Sequence, residues 1–468
     1  MSAQLGTYTD WTSNPAQGLA HILKEFYLAP VREQLNQEVM ALQLFQKATV
    51  DWNGRLAYIP IHIGRNTSVE FLAEGGQFTD ADGDVGSQSY EHLVVRAHFL
   101  YGHFEITGPA VAAAKSGGKG AFISWMESEM TRLVDDVKNT ADQNLISGGS
   151  CVGYITSQNA PGAAANWAFD GDYGKLSTAL AAGMTQVSMS RMDGPGFQSD
   201  GTTSQNPFFL DVVTPGVQIN SVNEVAGTIN LNTVQNATSQ AVGATPVNPG
   251  FGYPVYLTNA GAGNALTASN NQPRGVFANL SERDHFGVDM GGTNAGVAGA
   301  NGVPVLQPLV LSCNPNNTAT TNVRAVLSAE RMQQVIDELS VLSGKEPDVI
   351  LCHPTVRAQY VAVMADAAAL VTDTRGKATD GDIGFLNLSY SNIPLKYARH
   401  APRGAMMFLN TKTWKIAELK SGGFADLDGT TILRETRRDR WRGFWCWYYN
   451  LVCTQPNANA ILCGISIT

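Results

Sequence analysis

Between Ala121 and Gly149 the chain reads AFISWMESEMTRLVDDVKNTADQNLISGG. Phe122, Met126, Met130, Leu133, Val137, Ala141 and Leu145 recur at steps of three and four, so they share one helical face. Glu127, Glu129, Asp135, Lys138 and Asp142 lie largely off that stripe. No proline interrupts the run and Gly148–Gly149 stops it, which predicts a straight two-sided helix of roughly 40 Å. Just before it the period falls to two. Leu93, Val95, Ala97, Phe99 and Tyr101 alternate with His92, Val94, Arg96, His98 and Leu100, the pattern of one long strand. With RLAYIPIHI upstream and the turn-rich AEGGQFTDADGDVG between, the two arms predict a long hairpin. A two-stranded ribbon is marginal alone and needs another surface to lie against.

Residues 1–16 read as a loose polar arm. LAHILKEFYLAPVREQLNQEVMALQLF has helical periodicity with a break at Pro30. Past the long helix the pattern loosens: Gly201–Thr320 holds only Asp211, Glu224, Arg274, Glu282, Arg283, Asp284 and Asp289 as charged residues. FFLDVV, GTINLNTV and YPVYLT are strand-like pieces among Asn, Gly, Thr and Pro turns. The stretch 160–320 is a small β-rich inserted domain or a long decorated loop, and its length argues against an unstructured one. Regular alternation returns at Val323. SAERMQQVIDELSVL is a helix capped by Ser328, PDVILCH a strand, and PTVRAQYVAVMADAAALV a helix with Pro354 in its first turn. NIPLKYARHAPRGAMMFLN, TWKIAEL and the aromatic-rich segment from Thr431 to Ile467 add strands, giving a mixed α/β domain.

Composition narrows the classes. With 468 residues, two to four domains fit; 44% hydrophobic residues exclude a disordered chain, and 15% charged residues imply a largely uncharged polar surface. A formal charge of −9 gives no global attraction to nucleic acid or anionic lipid. Cys151, Cys313, Cys352, Cys446, Cys453 and Cys463 show no CxxC spacing and read as reduced thiols. The N-terminus has no signal-peptide pattern and no apolar run has transmembrane length, so a soluble protein of a reducing compartment is expected.

Candidate chemistry is sparse. No Walker A, dinucleotide, HExxH or GxSxG motif occurs. SGGKGA at Ser116–Ala121 lacks phosphate-loop spacing and reads as a flexible lead into the helix. Asp80, Asp82 and Asp84 alternate in a glycine turn like part of a calcium loop whose twelfth position falls at Glu91, but no helices flank it. A solvated hairpin tip is the plainer reading. His92 and His98 share one strand parity and His103 the other, too far apart to chelate one ion. Cys352–His353 is adjacent on a strand, so its side chains diverge and no nucleophile–base pair is expected. Arg434, Arg437, Arg438, Arg440 and Arg442, mixed with Glu435 and Asp439 and followed by Trp441, Phe444 and Trp445, could form a nucleic-acid strip. The mixed signs favour salt bridges within or between subunits.

The order of these elements resembles the major capsid proteins of tailed bacteriophages with the HK97-type fold. FISWMESEMTRLVDDVKNTADQNLISGG is similar to the spine helix, VIDELSVLSGKEPDVILCHPTVRAQYVAVM to the axial-domain helix–strand–helix, and IPLKYARHAPRGAMMFLNTKTWKIAEL to its later strands. The resemblance covers roughly 1–155 and 321–468. It implies an α+β fold with an N-terminal arm (1–50), an extended loop (51–108), a peripheral domain with the spine helix (109–159), a β-rich insertion (160–320), an axial domain (321–433) and return strands to the peripheral domain (434–468). It further implies a non-enzymatic shell protein of the virion capsid, made in the bacterial cytoplasm, without cofactor, metal or catalytic residues. The implied assembly is hexameric and pentameric capsomers closing into an icosahedral head around double-stranded DNA, maturing by subunit rotation. Implied partners are a separate scaffolding protein, a portal and a decoration or cement protein, with no membrane. Some relatives close a lysine–asparagine isopeptide bond from the extended loop. Here Asp51–Gly108 contains Arg55, Arg65 and Arg96 but no lysine, so no such cross-link is expected. Two other readings stand beside this one: a β-rich binding or adhesive module on a virion or cell surface, built on the uncharged middle, and a hydrolase drawing on His353 and His400.

Overall fold

A computed structural model describes residues 40–66, 71, 74, 88–109, 119–147, 151–158, 166–171, 186–190, 212–223, 228–231, 254–258, 273–281, 284–290, 304–314, 325–368, 388–402, 404–425, 432–434 and 438–466. Helix α1 (Met40–Leu44) leads into β1 (Gln46–Thr49); β2 (Trp52–Asn53) turns at Gly54, whose φ is 66°, into β3 (Leu56–Gly64). Strands β4 (Ser89–Arg96) and β5 (His98–Thr107) follow, then α2 (Lys119–Ile146), whose 28 residues span about 42 Å. Six strands come next: β6 (Cys151–Gln158), β7 (Asn166–Gly171), β8 (Gln186–Ser190), β9 (Val212–Asn223), β10 (Thr228–Leu231) and β11 (Pro254–Thr258). They close on themselves as an antiparallel barrel in the order β10-β7-β6-β11-β8-β9. Closure leaves no free sheet edge, which suits a sequence with so little charge to guard one.

After α3 (Val276–Ser281), the small hairpin β12 (Asp284–His285) with β13 (Val288–Asp289), and β14 (Leu309–Ser312), the chain enters a layered α/β unit. Its elements are α4 (Ala329–Ser343), β15 (Val349–Cys352), α5 (Pro354–Ala368), β16 (Ser389–Tyr390), β17 (Ile393–Tyr397) and β18 (Met406–Leu409). The remaining strands are β19 (Trp414–Phe424), β20 (Ile432–Arg434), β21 (Arg440–Cys453) and β22 (Ala460–Cys463). A six-stranded sheet runs β14-β22-β18-β15-β17-β16. Helices α4 and α5 cover one face, Met332, Val335, Leu339, Val356 and Tyr360 packing on Ile350, Phe408 and Leu462. The other face, with Leu351, Met407 and Ile461, joins the largest core together with Leu145 of α2 and Phe277 of α3. Every residue of β15, β18 and β22 is therefore buried, and that is why VILC, MMFL and AILC show no alternation. Ser328 Oγ accepts the Arg331 N–H at the start of α4, and Gly344, at φ 66°, ends it.

The second main sheet is five-stranded. In it β1 lies parallel to β19, β19 and β5 flank β21 antiparallel, and β20 pairs with the start of β21. Trp445, Trp447 and Tyr449 of β21 point inward, Trp447 stacked on Tyr449 at 4.0 Å. Helix α2 rests on this inner side beside Gly102 of β5. A Cβ there would come within 2.9 Å of Val137 Cγ2 and 3.0 Å of Leu133 Cδ1. Gly102→Val is expected to lift the helix off the sheet and cost about 1–3 kcal/mol, read as a lower denaturant midpoint with an unchanged slope.

The structure corrects four boundaries. The run from Tyr90 to Thr107 is two strands, because at Ala97 the chain leaves the β3–β4 ribbon and joins β21. The switch inverts the parity: Leu93 and Val95 are buried before it, but His98, Gly102, Phe104 and Ile106 after it, leaving Phe99 and Tyr101 exposed. Residues 40–49 are part of the body, since Ala41 and Phe45 are buried against α2 and Trp414 and β1 extends the sheet. The barrel occupies 151–258, starting before residue 160 and ending well before 320; α3, β12, β13 and β14 pack into the cores of the host fold, where their apolar side chains find cover. Finally, β19 belongs with β21, while β22 returns to the six-stranded sheet, since the chain crosses between the sheets at 410–414 and again at 454–459. Residues 1–39, which include the Pro30 break, lie outside the described residues.

Candidate functional site

Cys352 and His353 form no catalytic pair. Burial pushes the Cys352 thiol up to about 12. His353 sits where α5 begins: its carbonyl accepts the Val356 and Arg357 N–H groups, and its Nδ1 accepts the Thr355 N–H at 3.2 Å. It is a helix cap, with Pro354 placed where no N–H is needed. Burial first, then the His400 and Arg399 charges, lower its pKa from 6.5 to about 4. Between those values the unfolded chain takes up a proton that the folded chain refuses. The stabilisation is complete above pH 6.5 and is lost as the pH falls toward 4, amounting to about 3 kcal/mol. His353→Asn keeps a capping side chain without the titration, so urea midpoints at pH 7 and 4.5 are expected to converge in the variant.

The arginine row is used inside the chain. Arg442 faces Glu105 directly across β21 and β5, and Arg440 faces Thr107. Arg440 Nη1 lies 2.6 Å from Glu105 Oε1 and Arg442 Nε 3.1 Å from Oε2. The Arg440 hydrogen bond, then that of Arg442, holds the Glu105 carboxyl below the usual range despite the opposing cost of burial. Arg437 lies outside the described residues, as do Asp80, Asp82 and Asp84 and the stretch Ser116–Gly118. His92 and His103 are exposed on separate sheets and His98 is buried beside β21, so the three converge on nothing. Among the described residues no three His, Cys, Asp or Glu side chains could hold a metal, and no helix is long and apolar enough to cross a membrane.

What stands out is surface. The ribbon β3–β4 pairs from Leu56↔Arg96 to Gly64↔Ser89. Its inner face is used by the chain itself: Ala57, Ile61, Leu93 and Val95 pack on Phe286, Val288, Ala417 and Val452. The Val94 N–H donates to the Phe286 carbonyl at 2.9 Å, and His285 Nε2 lies 2.8 Å from the Cys453 carbonyl oxygen. Its outer face stays open, with Tyr58 and Tyr90 exposed and His62 packed against Tyr90. Next to it, the outer side of the β5–β21 pair presents Phe99, Tyr101, Phe444 and Tyr448. Phe99 and Tyr448 meet edge to face at 4.8 Å, and the Tyr101 and Tyr448 hydroxyls lie 3.1 Å apart. The parity inversion at Ala97 creates this patch, and alternation alone could not reveal it.

Sequence reading also missed two tethers. The Asp142 carboxylate, buried on α2, accepts the Ala41 N–H at 2.6 Å and fixes the end of the arm. Glu418 ties β1 to the sheet through Lys47 at 2.9 Å while accepting the Trp447 indole N–H at 2.9 Å. Neither partner is near the other in sequence, so no spacing could signal them.

Residues 255–466 match the family described as SU10 major capsid protein. Among solved structures, the cyanophage A-1(L) capsid asymmetric unit has the same fold, with a TM-score of 0.51 at 9% identity over 94% of this chain and 96% of that one. The holo-SrpI encapsulin complex from Synechococcus elongatus PCC 7942 gives 0.41 at 8% identity, covering 96% of each chain. Mycobacterium phage Adephagia gives 0.39 at 10% identity over 97% of this chain and 98% of that one. No curated protein sequence matches.

Proposed function

We propose that this chain, a phage major capsid protein with an HK97-like fold, self-assembles through hexameric and pentameric capsomers into an icosahedral head around double-stranded DNA. The carrying observation is a ribbon reaching from Leu56 to Gly64 whose inner face is buried at home and whose outer face is left uncovered. A projecting two-stranded arm gains burial by lying on a neighbour; each 100 Å² of apolar surface covered is worth about 2.5 kcal/mol before ordering costs. The net charge of −9 suits an inner wall past which DNA slides rather than sticks. The role is non-enzymatic and without isopeptide chainmail, because the ribbon and its tip carry no lysine. A separate scaffolding protein, a portal and a decoration protein are the partners this reading brings with it. Negative-stain microscopy of the purified chain, with and without a scaffold partner, tests it: rings or shells are expected, and a persistent monomer under every condition refutes it.

The barrel favours a complementary reading as a surface-decorating module. Its six strands close without help from the host sheets, so a fragment of residues 151–258 is expected to fold alone. Glycan or cell binding by that fragment would add an adhesive role to the shell.

A further inference from the structure

On the outer side of the β5–β21 pair, two tyrosines 347 residues apart in sequence bring their hydroxyls within 3.1 Å of each other. The ladder sets this up. Tyr101 pairs with Cys446 and Phe99 with Tyr448, so Tyr101 and Tyr448 are diagonal neighbours on one face of the sheet. Their ring centroids lie 5.7 Å apart at an interplanar angle of 68°. The two rings are held unequally. Tyr448 is half-buried, with the Phe99 ring edge-on at 4.8 Å and the Lys420 ammonium 5.6 Å over its own ring. Tyr101 is 57% exposed and has room to turn about its side-chain bonds.

We propose that Tyr101 and Tyr448 form an oxidative cross-linking site, joined ring to ring by a carbon–carbon bond when a peroxide and a one-electron catalyst reach this face. Each ring gives up one electron and its hydroxyl proton, leaving two phenoxyl radicals. These couple at the carbons next to the oxygens, and the hydrogens displaced there pass through water to the oxygens as the rings regain aromaticity. Two phenols and one hydrogen peroxide thus yield one biphenol and two waters; the peroxide is reduced and the tyrosines are oxidised. The hydrogen bond with Tyr101, then burial, pushes the Tyr448 phenol up to about 12, so this ring starts neutral and its proton leaves with the electron. Free phenols must first meet in solution. Here the two hydroxyls are already in contact, and a turn of Tyr101 brings the neighbouring carbons together, which makes the coupling intramolecular. The competing sink is Cys446, buried directly across from Tyr101, whose thiol can return a hydrogen atom to a phenoxyl radical and be oxidised in its place. The new bond ties β5 to β21 and encloses the barrel and helices α2 to α5 in one covalent loop. Closing so long a loop restricts the unfolded chain far more than the folded one. This chemistry needs a single folded chain and does not depend on assembly.

The full chain is treated with hydrogen peroxide and a small haem peptide as the one-electron catalyst, then read by peptide mass spectrometry and by the blue fluorescence of a biphenol. One linked peptide pair, joining Tyr101 to Tyr448 within single chains and lighter by two hydrogens, is expected to dominate. Tyr101→Phe and Tyr448→Phe should each cut it at least about tenfold. Tyr397→Phe, which alters an exposed tyrosine set against Arg357, should leave it unchanged. Cys446→Ala should raise the yield by removing the competing thiol. Linked chains should unfold at a higher urea midpoint than unlinked ones, and a chain oxidised while unfolded in urea should lack the link. Singly hydroxylated tyrosines with no bond between them, oxidation that stops at Cys446, or an equal yield from the unfolded chain overturns the site.

Discussion

Asn459→Ala is expected to cost about 4 kcal/mol and to leave little soluble protein, although the side chain touches no surface. Asn459 is wholly buried where the chain passes between the two main sheets. Its Oδ1 accepts the Asn410 N–H and the Trp414 indole N–H, both at 2.9 Å. Its Nδ2 donates to the Gln455 carbonyl at 3.0 Å and Thr413 Oγ1 at 3.2 Å. Truncation strands two buried donors and two acceptors, each costing about 1–3 kcal/mol if no water replaces the amide. Trp414→Phe removes one donor and keeps most of the ring, so about 1 kcal/mol is expected there. Denaturant unfolding of both variants separates the cases; equal losses would mean that packing, not the amide network, holds the crossing.

Replacing residues 65–88 by a two-residue Asn-Gly turn is expected to spare the fold and abolish the shell. Gly64 already faces Ser89, so a tight turn can close the ribbon there. The buried positions Ala57, Ile61, Leu93 and Val95 remain, which is why this shortening is a cleaner experiment than removing the ribbon outright. The far-ultraviolet spectrum and melting temperature should stay near those of the parent, while particle yield falls at least about tenfold as the arm loses its hold on a neighbour. Full-sized particles of normal durability from the shortened chain would show that the tip has no part in assembly.

Much of the architecture was legible because local rules and burial agreed. The stripe from Leu133 to Leu145 does face the core, and Ser328 does cap α4. Arg440 and Arg442 of the arginine row form salt bridges within the chain, as expected, though with Glu105 of another strand. The candidate site was less legible. It consists of surfaces left over after folding, and no motif marks a residue for being uncovered. Alternation read through Ala97 put Phe99 and Tyr101 on the buried side, whereas the change of sheet puts them outside. The domain edges failed for a related reason: apolar stretches at 276–314 look the same whether they fill a barrel or a host core.

The amino-acid order by itself determined the helices, the strands and their apolar faces, since periodicity and end signals act over a few residues. Which strands became partners was decided only in three dimensions. The parallel β14–β22 pairing spans about 150 residues, and Glu105 meets Arg440 across 335. Such meetings depend on the closure of intervening chain and on the shared burial of whole faces, quantities that belong to the folded body and to no short segment of it.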